Sequence, residues 1–412
     1  MSDRSLTLKE LKEAIRDPAR EGELHEQMML LRERFTPDLL KSLPNKSRNV
    51  AINDAFHAVQ GILAAIIGEE SPDGDPGHGR GHWARDYIHA LWLSYDPELD
   101  TKLIMPCLLG GTLHDTATLF VDRYADKNRV VRHAEVGALL VHAAALENKV
   151  LTPNEATLAA YAVAAHTHYL KPADVTCADG VTRTVTPYRD MSADNHPLLE
   201  VWMTRWVDRL DCSGPFELGR HYLTLHKDHE DLGQDGFYKV SFADQMQPLL
   251  RTPEEIKISG KPQTMLEHMR MYASSQSNSS PYGKYDCGLM VKIRDAYKES
   301  LEHIIYQAAN PSPVLPDRIE MNWTRFLGQW VEPTFAGKKA AASLSRAFCT
   351  LDPTAQNAWA CGFRACMAEH SIWIDRIRSF LVLEEVPTEY LHLPGIGEIG
   401  NAFLRADVPI EY

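Results

Sequence analysis

The sequence predicts an all-α protein. Apolar residues recur at spacings of three and four along most of the 412-residue chain, strand-like alternation is confined to one short stretch, and turn-forming Gly and Pro fall between the periodic segments. Residues 5–34 form a charged, amphipathic opening. Residues 47–68 read as a more apolar helix ending in Gly68. The loop SPDGDPGHGRG (71–81) breaks the pattern. Four Ala-, Leu- and Val-rich helical segments follow at 82–94, 101–120, 132–147 and 153–168, the last stopped before Lys171-Pro172. The run VTCADGVTRTVT alternates about Asp179-Gly180, so the stretch 175–186 reads as a β-hairpin. Helical pattern returns at 197–227. Residues 251–288 are polar and broken, with Ser274–Gly283 read as a mobile loop, before further helical blocks at 288–309 and 317–385. No internal repeat is visible. The predicted organisation is an N-terminal helical layer (1–70), a ligand-rich central domain (71–230), an irregular segment (231–289) and a C-terminal helical region (290–412).

Composition narrows the function classes. Hydrophobic residues at 44% and charged residues at 24% fit a globular protein. A net charge of −13 argues against long nucleic acid and against an anionic membrane surface as partners. Seven scattered cysteines suit a reducing compartment better than a disulfide framework. The charged N-terminus lacks the apolar core of a signal peptide, and the apolar run Ala58–Gly68 is too short to span a bilayer. The expected location is the cytoplasm.

Chemistry concentrates in one ordered set: His82, His114-Asp115, His133, His166 and Asp208. A helix repeats every 3.6 residues, so positions three, four and seven apart share a face. His133 heads the stripe Val136, Gly137, Leu140, Ala144 and therefore points inward. His142, on the opposite side by the same period, is expected to be exposed. His114 and Asp115 continue the stripe Ile104, Cys107, Leu108, Gly111. Taken singly, each of these residues reads as a hydrogen-bonded core histidine or a salt-bridged aspartate. Taken together, several helices each send a polar, metal-ligating side chain inward, and such groups need partners when buried.

The strings HWARDYIHAL, LLGGTLHDTA, RHAEVGALL, AAHTHYL and RWVDRLDCSG, spanning about His78 to Gly214, resemble the HD superfamily of metal-dependent phosphohydrolases. The extra histidines between the His-Asp pair and the closing aspartate resemble the HD-GYP phosphodiesterases and the ribonuclease Y catalytic domain, which bind two or more metals. Two features depart from that pattern. Thr118 stands where many relatives carry the lysine of HDxxK, and the GYP signature is missing. Where the dinuclear forms have a His-His pair, this chain has His166-Thr167-His168.

The resemblance implies an HD helical bundle with extra terminal helices, and two divalent transition-metal ions. Mn²⁺ or Fe²⁺ suits the mixed imidazole and carboxylate ligands, with Zn²⁺, Ni²⁺ and Mg²⁺ as further choices. One ion would rest on His82, His114, Asp115 and Asp208. The other would rest on Asp115, His133 and His166, with His168 as an added ligand or substrate contact. Asp115 would bridge the two, and a hydroxide shared between them would attack phosphorus. With Thr118 uncharged, Arg85 is the expected phosphate-binding cation, joined by Lys171 and Arg132. Lys127, Arg129, Arg205 and Arg209 are read as solvated charges. His78 is the expected proton donor to the leaving group, and His89 a core or supporting residue. The expected substrate is a nucleotide or another small phosphorylated molecule.

Two other readings stand beside this one. A similar ligand order occurs in HD-type di-iron oxygenases acting on small polar metabolites, and a non-catalytic helical scaffold could keep a metal as a staple. The C-terminal region carries no assignable chemistry. Cys361 and Cys366 in CGFRAC read as helix cysteines, and Trp323 and Trp330 share a face suited to core packing or a homodimer contact.

Overall fold

A computed structural model describes residues 5–36, 38–67, 78–120, 127–166, 173–176, 182–185, 204–213, 247, 250–259, 264–277, 288–310, 352–358, 361, 376 and 378–385. These are predominantly helical: α1 (Leu8–Arg16), α2 (Glu21–Arg32), α3 (Arg48–Ile67), α4 (Arg80–Leu93), α5 (Thr101–Leu113), α6 (Lys127–Glu147), α7 (Pro153–Ala164), α8 (Thr204–Ser213), α9 (Pro253–Ser259), α10 (Met265–Ser277) and α11 (Gly288–Ala309). Two short strands, β1 (Ala173–Thr176) and β2 (Thr182–Val185), pair antiparallel with Ala173 opposite Val185. His168, Lys171, Trp323, Trp330 and Cys366 lie outside the described residues, as do residues 278–283 of the stretch read as a mobile loop, whose residues 274–277 instead belong to α10. The side chains of Lys127, Arg129, Arg132 and Arg205 are likewise outside the described ones.

The chain divides into two compact units. The first is built mainly from residues up to Gly79 and from Asp86 to Asp208, the second from Arg80–Arg85 and residues beyond Arg209. In the first unit α3, α5, α6 and α7 pack against one another, with α1 and α2 laid on α6. The apolar stripes read from the sequence fill this core: Ile104, Cys107, Leu108, Val136, Leu140 and Ala144 are all buried. Helix α3 is long and apolar enough to cross a bilayer, yet it buries Ile52, Val59, Ile62 and Ile66 and packs on α5.

Glycine permits close approaches in this unit at Gly61, Gly111 and Gly137 among the described residues. A Cβ on Gly111 of α5 would stand 2.7 Å from Val207 Cγ1, so α8 seats directly on the α5 backbone there. A Cβ on Gly137 of α6 would stand 3.2 Å from the carbonyl oxygen of His114. Gly137 thus lets α6 ride against the turn that carries the His-Asp pair.

Capping explains where helices begin. Thr7 and Glu10 form a capping box ahead of α1, and Thr152 and Glu155 another ahead of α7. The α1 start is tied down further by Glu147 at the end of α6, whose carboxylate accepts from the Leu8 N–H at 2.7 Å. The second unit repeats the device within the stretch read as irregular. Thr252 pairs with Glu255 to open α9, and Thr264 with Glu267 to open α10, which packs on α11. Glu267 is buried and Arg251 grips both its oxygens, at 2.6 and 2.7 Å. Polar composition alone reads as loop; the spaced Thr and Glu pairs turn it into helix starts.

His142 departs from its expected exposure, because α6 is covered on its far side as well. It is half-buried, 3.4 Å from the Thr157 hydroxyl. Burial first, and then the charge of Arg34, push the imidazole down to about 4. The unfolded chain therefore binds a proton near pH 6.5 that the folded chain refuses until about pH 4. Stability is expected to be level above pH 6.5 and to fall as pH drops from there toward 4, by up to about 3 kcal/mol. Denaturation of His142→Gln across this window checks it: the acid slope should flatten, and an unchanged slope would assign the effect elsewhere.

Candidate metal centre

The His-Asp pair sits where α5 ends. The histidine ring itself ends the helix: His114 Nδ1 donates to the Gly111 carbonyl at 2.6 Å, taking one of the carbonyls that a helix terminus leaves without an intrahelical partner. Thr112 and Thr116 hydroxyls take the Leu108 and Leu113 carbonyls at 2.7 and 2.9 Å. The sequence reading carries this helix on to residue 120; the chain instead turns at His114-Asp115 into a 3₁₀ turn, Thr116–Leu119. His166 repeats the arrangement at the end of α7. That helix stops at Ala164, short of the predicted 168, and His166 Nδ1 donates to the Val163 carbonyl at 2.7 Å.

This has an immediate chemical consequence. With Nδ1 bonded to a carbonyl, Nε2 is the ring nitrogen that each histidine turns toward the cluster. Both Nε2 atoms turn toward Asp115: His114 Nε2 is 3.2 Å from Oδ2, and His166 Nε2 is 3.7 Å from Oδ1. His133, at the start of the inward stripe of α6, brings its Nε2 to 3.3 Å from Oδ1 and 3.2 Å from His166 Nε2. Two imidazole nitrogens so close together call for a shared proton or a cation. Asp208 on α8 brings Oδ1 to 3.9 Å from His114 Nε2, and at 21% side-chain exposure it is the most open member of the set.

The electrostatics favour cations. All of these residues except Asp208 are buried. The C-terminal ends of α5 and α7 both meet the cluster and add their partial negative charge to the carboxylates. For His114, burial opposes the charged ring, but Asp115 and then Asp208 and Asp86 outweigh it and raise the ring to about 10. Burial, and then the neighbouring His114 and His133, hold His166 well below its ordinary value and neutral. His114 would have to give up this proton to serve as a metal ligand, so any metal binding through it would weaken as pH falls.

The second unit contains its own linked group. His82 and Arg85 on α4 both reach Asp211 on α8. His82 Nδ1 is 2.8 Å from Oδ2, and Arg85 holds Oδ1 and Oδ2 at 2.5 and 2.9 Å, all three residues buried. Burial alone would raise the Asp211 carboxyl; Arg85 and then His82 outweigh it and hold it well below the usual range. Arg85, read from the sequence as a phosphate contact, thus has its guanidinium turned to Asp211. The Asp211 carboxylate fixes His82 so that Nε2 is the ring nitrogen directed away from it. Arg209 is buried.

Thr118, in the place of the expected lysine, gives its hydroxyl to the Asp115 carbonyl at 2.7 Å and reaches the His78 carbonyl at 3.5 Å. The loop carrying His78 is thereby held beside the His-Asp turn. His89 stacks edge-on against Trp92 and faces Asp86.

Two residues escaped the sequence reading. Asp86, fully buried, has Oδ2 3.9 Å from His114 Nε2. Asp211 holds His82 and Arg85. Each had a signal in helical spacing: Asp86 follows His82 by four residues, and Asp211 follows Asp208 by three.

The described His and Asp residues therefore form buried groups able to hold metal ions. Asp86, His114 and Asp208 offer ligand atoms within 4.8 Å of one another, and so do His114, Asp115 and His166. No family model, curated protein or solved structure matches this chain. The functional reading rests on the site itself.

Proposed function

We propose that this chain is a metal-dependent phosphohydrolase of the HD type, cleaving a phosphomonoester or phosphodiester bond in a nucleotide or small phosphorylated metabolite. Asp115 carries the reading. Its Oδ2 faces His114 while its Oδ1 faces His133 and His166, the disposition of a carboxylate shared between two cations. The donor set fits transition metals: oriented imidazole nitrogens with carboxylate oxygens, best matched by Mn²⁺ or Fe²⁺.

Bound there, two divalent ions supply Lewis acidity toward the phosphoryl group and lower the pKa of a water to near neutrality. The rest falls to the chain's own residues. Carbonyl-anchored His114 and His166 hold their nitrogens in place before any ligand arrives, so little reorganisation is needed during turnover. His82 is oriented by Asp211. Asp208, the partly exposed member, marks the side from which substrate reaches the centre. As the water oxygen bonds to phosphorus and the ester P–O bond breaks, His78 returns a proton to the departing oxygen. Its loop is tethered through Thr118 to the residue that follows His114. Arg132, His168 and Lys171 are the proposed substrate contacts, while Arg85 acts through Asp211 and His82. The acidic chain favours a small substrate in the cytoplasm over long nucleic acid or membrane.

The test is elemental analysis of protein purified without chelator, together with a phosphatase and phosphodiesterase panel in Mn²⁺. Two metal equivalents with phosphate or phosphomonoester release are expected. Oxygen consumption with bound iron and no phosphorus chemistry would replace this reading with the oxygenase one.

A further inference from the structure

We propose that Asp86 is a ligand to one of the two ions, the one held by His114 and Asp208, making the two sites chemically unequal. This deepens the dinuclear reading and rests on it. Asp86 sits mid-way along α4, flanked by buried Tyr87, Ile88, Ala90 and Leu91 that serve packing. A fully buried carboxylate in such a row is costly unless positive charge faces it.

Its oxygens are aimed at rings. Oδ2 is 3.9 Å from His114 Nε2 and Oδ1 is 3.7 Å from His89 Nδ1. Both gaps exceed a direct hydrogen bond. The gap to His114 matches two atoms that share a cation: ligands each about 2.0–2.2 Å from one ion are separated by up to about 4 Å. The His114–Asp208 gap is also 3.9 Å, so one nitrogen faces two carboxylates at equal range. His89, seated on Trp92, backs the Asp86 carboxylate as a positioning group.

Counting ligands separates the two sites. One is rich in oxygen, with Asp86, Asp208 and Asp115 Oδ2 around His114. The other is rich in nitrogen, with His133 and His166 beside Asp115 Oδ1. Oxygen-rich sets favour harder ions, so the Asp86 site should prefer Mn²⁺ over Zn²⁺ more than its neighbour does.

The experiment is titration of the metal-stripped 412-residue protein with Mn²⁺, followed by calorimetry and by the Mn²⁺ electron paramagnetic resonance signal. The unmodified protein should bind two equivalents. Asp86→Asn, nearly the same shape, should weaken one site tenfold or more and leave the other in place. His133→Ala should weaken the complementary site. Melting of the metal-free variants checks folding, and Asp86→Ser serves if the asparagine variant does not fold. Two unchanged Mn²⁺ affinities in a folded Asp86 variant would overturn the assignment while leaving the dinuclear centre standing. Absence of Mn²⁺ binding in the unmodified protein would overturn both.

Discussion

Replacing Asp115 by alanine is expected to lower turnover by at least about 10³-fold and to remove tight binding at both metal positions at once. No other residue of the cluster should do both, because only Asp115 presents one oxygen to His114 and the other to His133 and His166. The apo protein should remain folded, since a buried carboxylate is lost rather than exposed. Asp115 is also the strongest charge opposing burial at His114, so the ring should titrate lower in the variant. Metal content, turnover and apo melting measured side by side check this. An Asp115→Ala protein that retains two tightly held ions would end the bridging assignment.

The second large effect is structural. Asp211→Ala withdraws the bidentate partner of Arg85 and the oxygen bonded to His82 in a fully buried setting. Breaking a buried pair from one side costs about 3–5 kcal/mol, because the remaining charge stays desolvated. Replacing Arg85 and Asp211 together by Met and Leu should recover much of that loss. Chemical denaturation of the single and double variants measures both quantities. A single variant as stable as the parent would show that Asp211 does not carry the pair.

Much of the helical core was legible before any coordinates, because the inward stripes of α5 and α6 are long and unbroken. The grouping of His114, Asp115, His133, His166 and Asp208 was legible too, whereas the pairing of His82 with Asp211 was not. Helix ends were not. The reading ran α5 to 120 and α7 to 168, since nothing in propensity says that a histidine ring will take the carbonyl three residues back and stop the helix. Those same rings belong to the buried His/Asp cluster, so the departure fell on residues whose side chains answer to one another rather than to helix propensity. Asp86 and Asp211 were passed over because each sits in a row otherwise suited to packing or to an ordinary salt-bridged face. The helices α9 and α10 are hidden by the polarity of their stretch and signalled only by the Thr-x-x-Glu spacing that starts them.

The two helix termini that meet at His114 and His166 carry an implication for the sequence of events. Their dipoles and the surrounding acids create a field that repels any anion. A phosphate-bearing molecule would be turned away from the empty protein and admitted only once cations have reversed the local sign. Catalysis would then follow an obligatory order, ions first and substrate second, and chelation would abolish substrate binding as well as turnover.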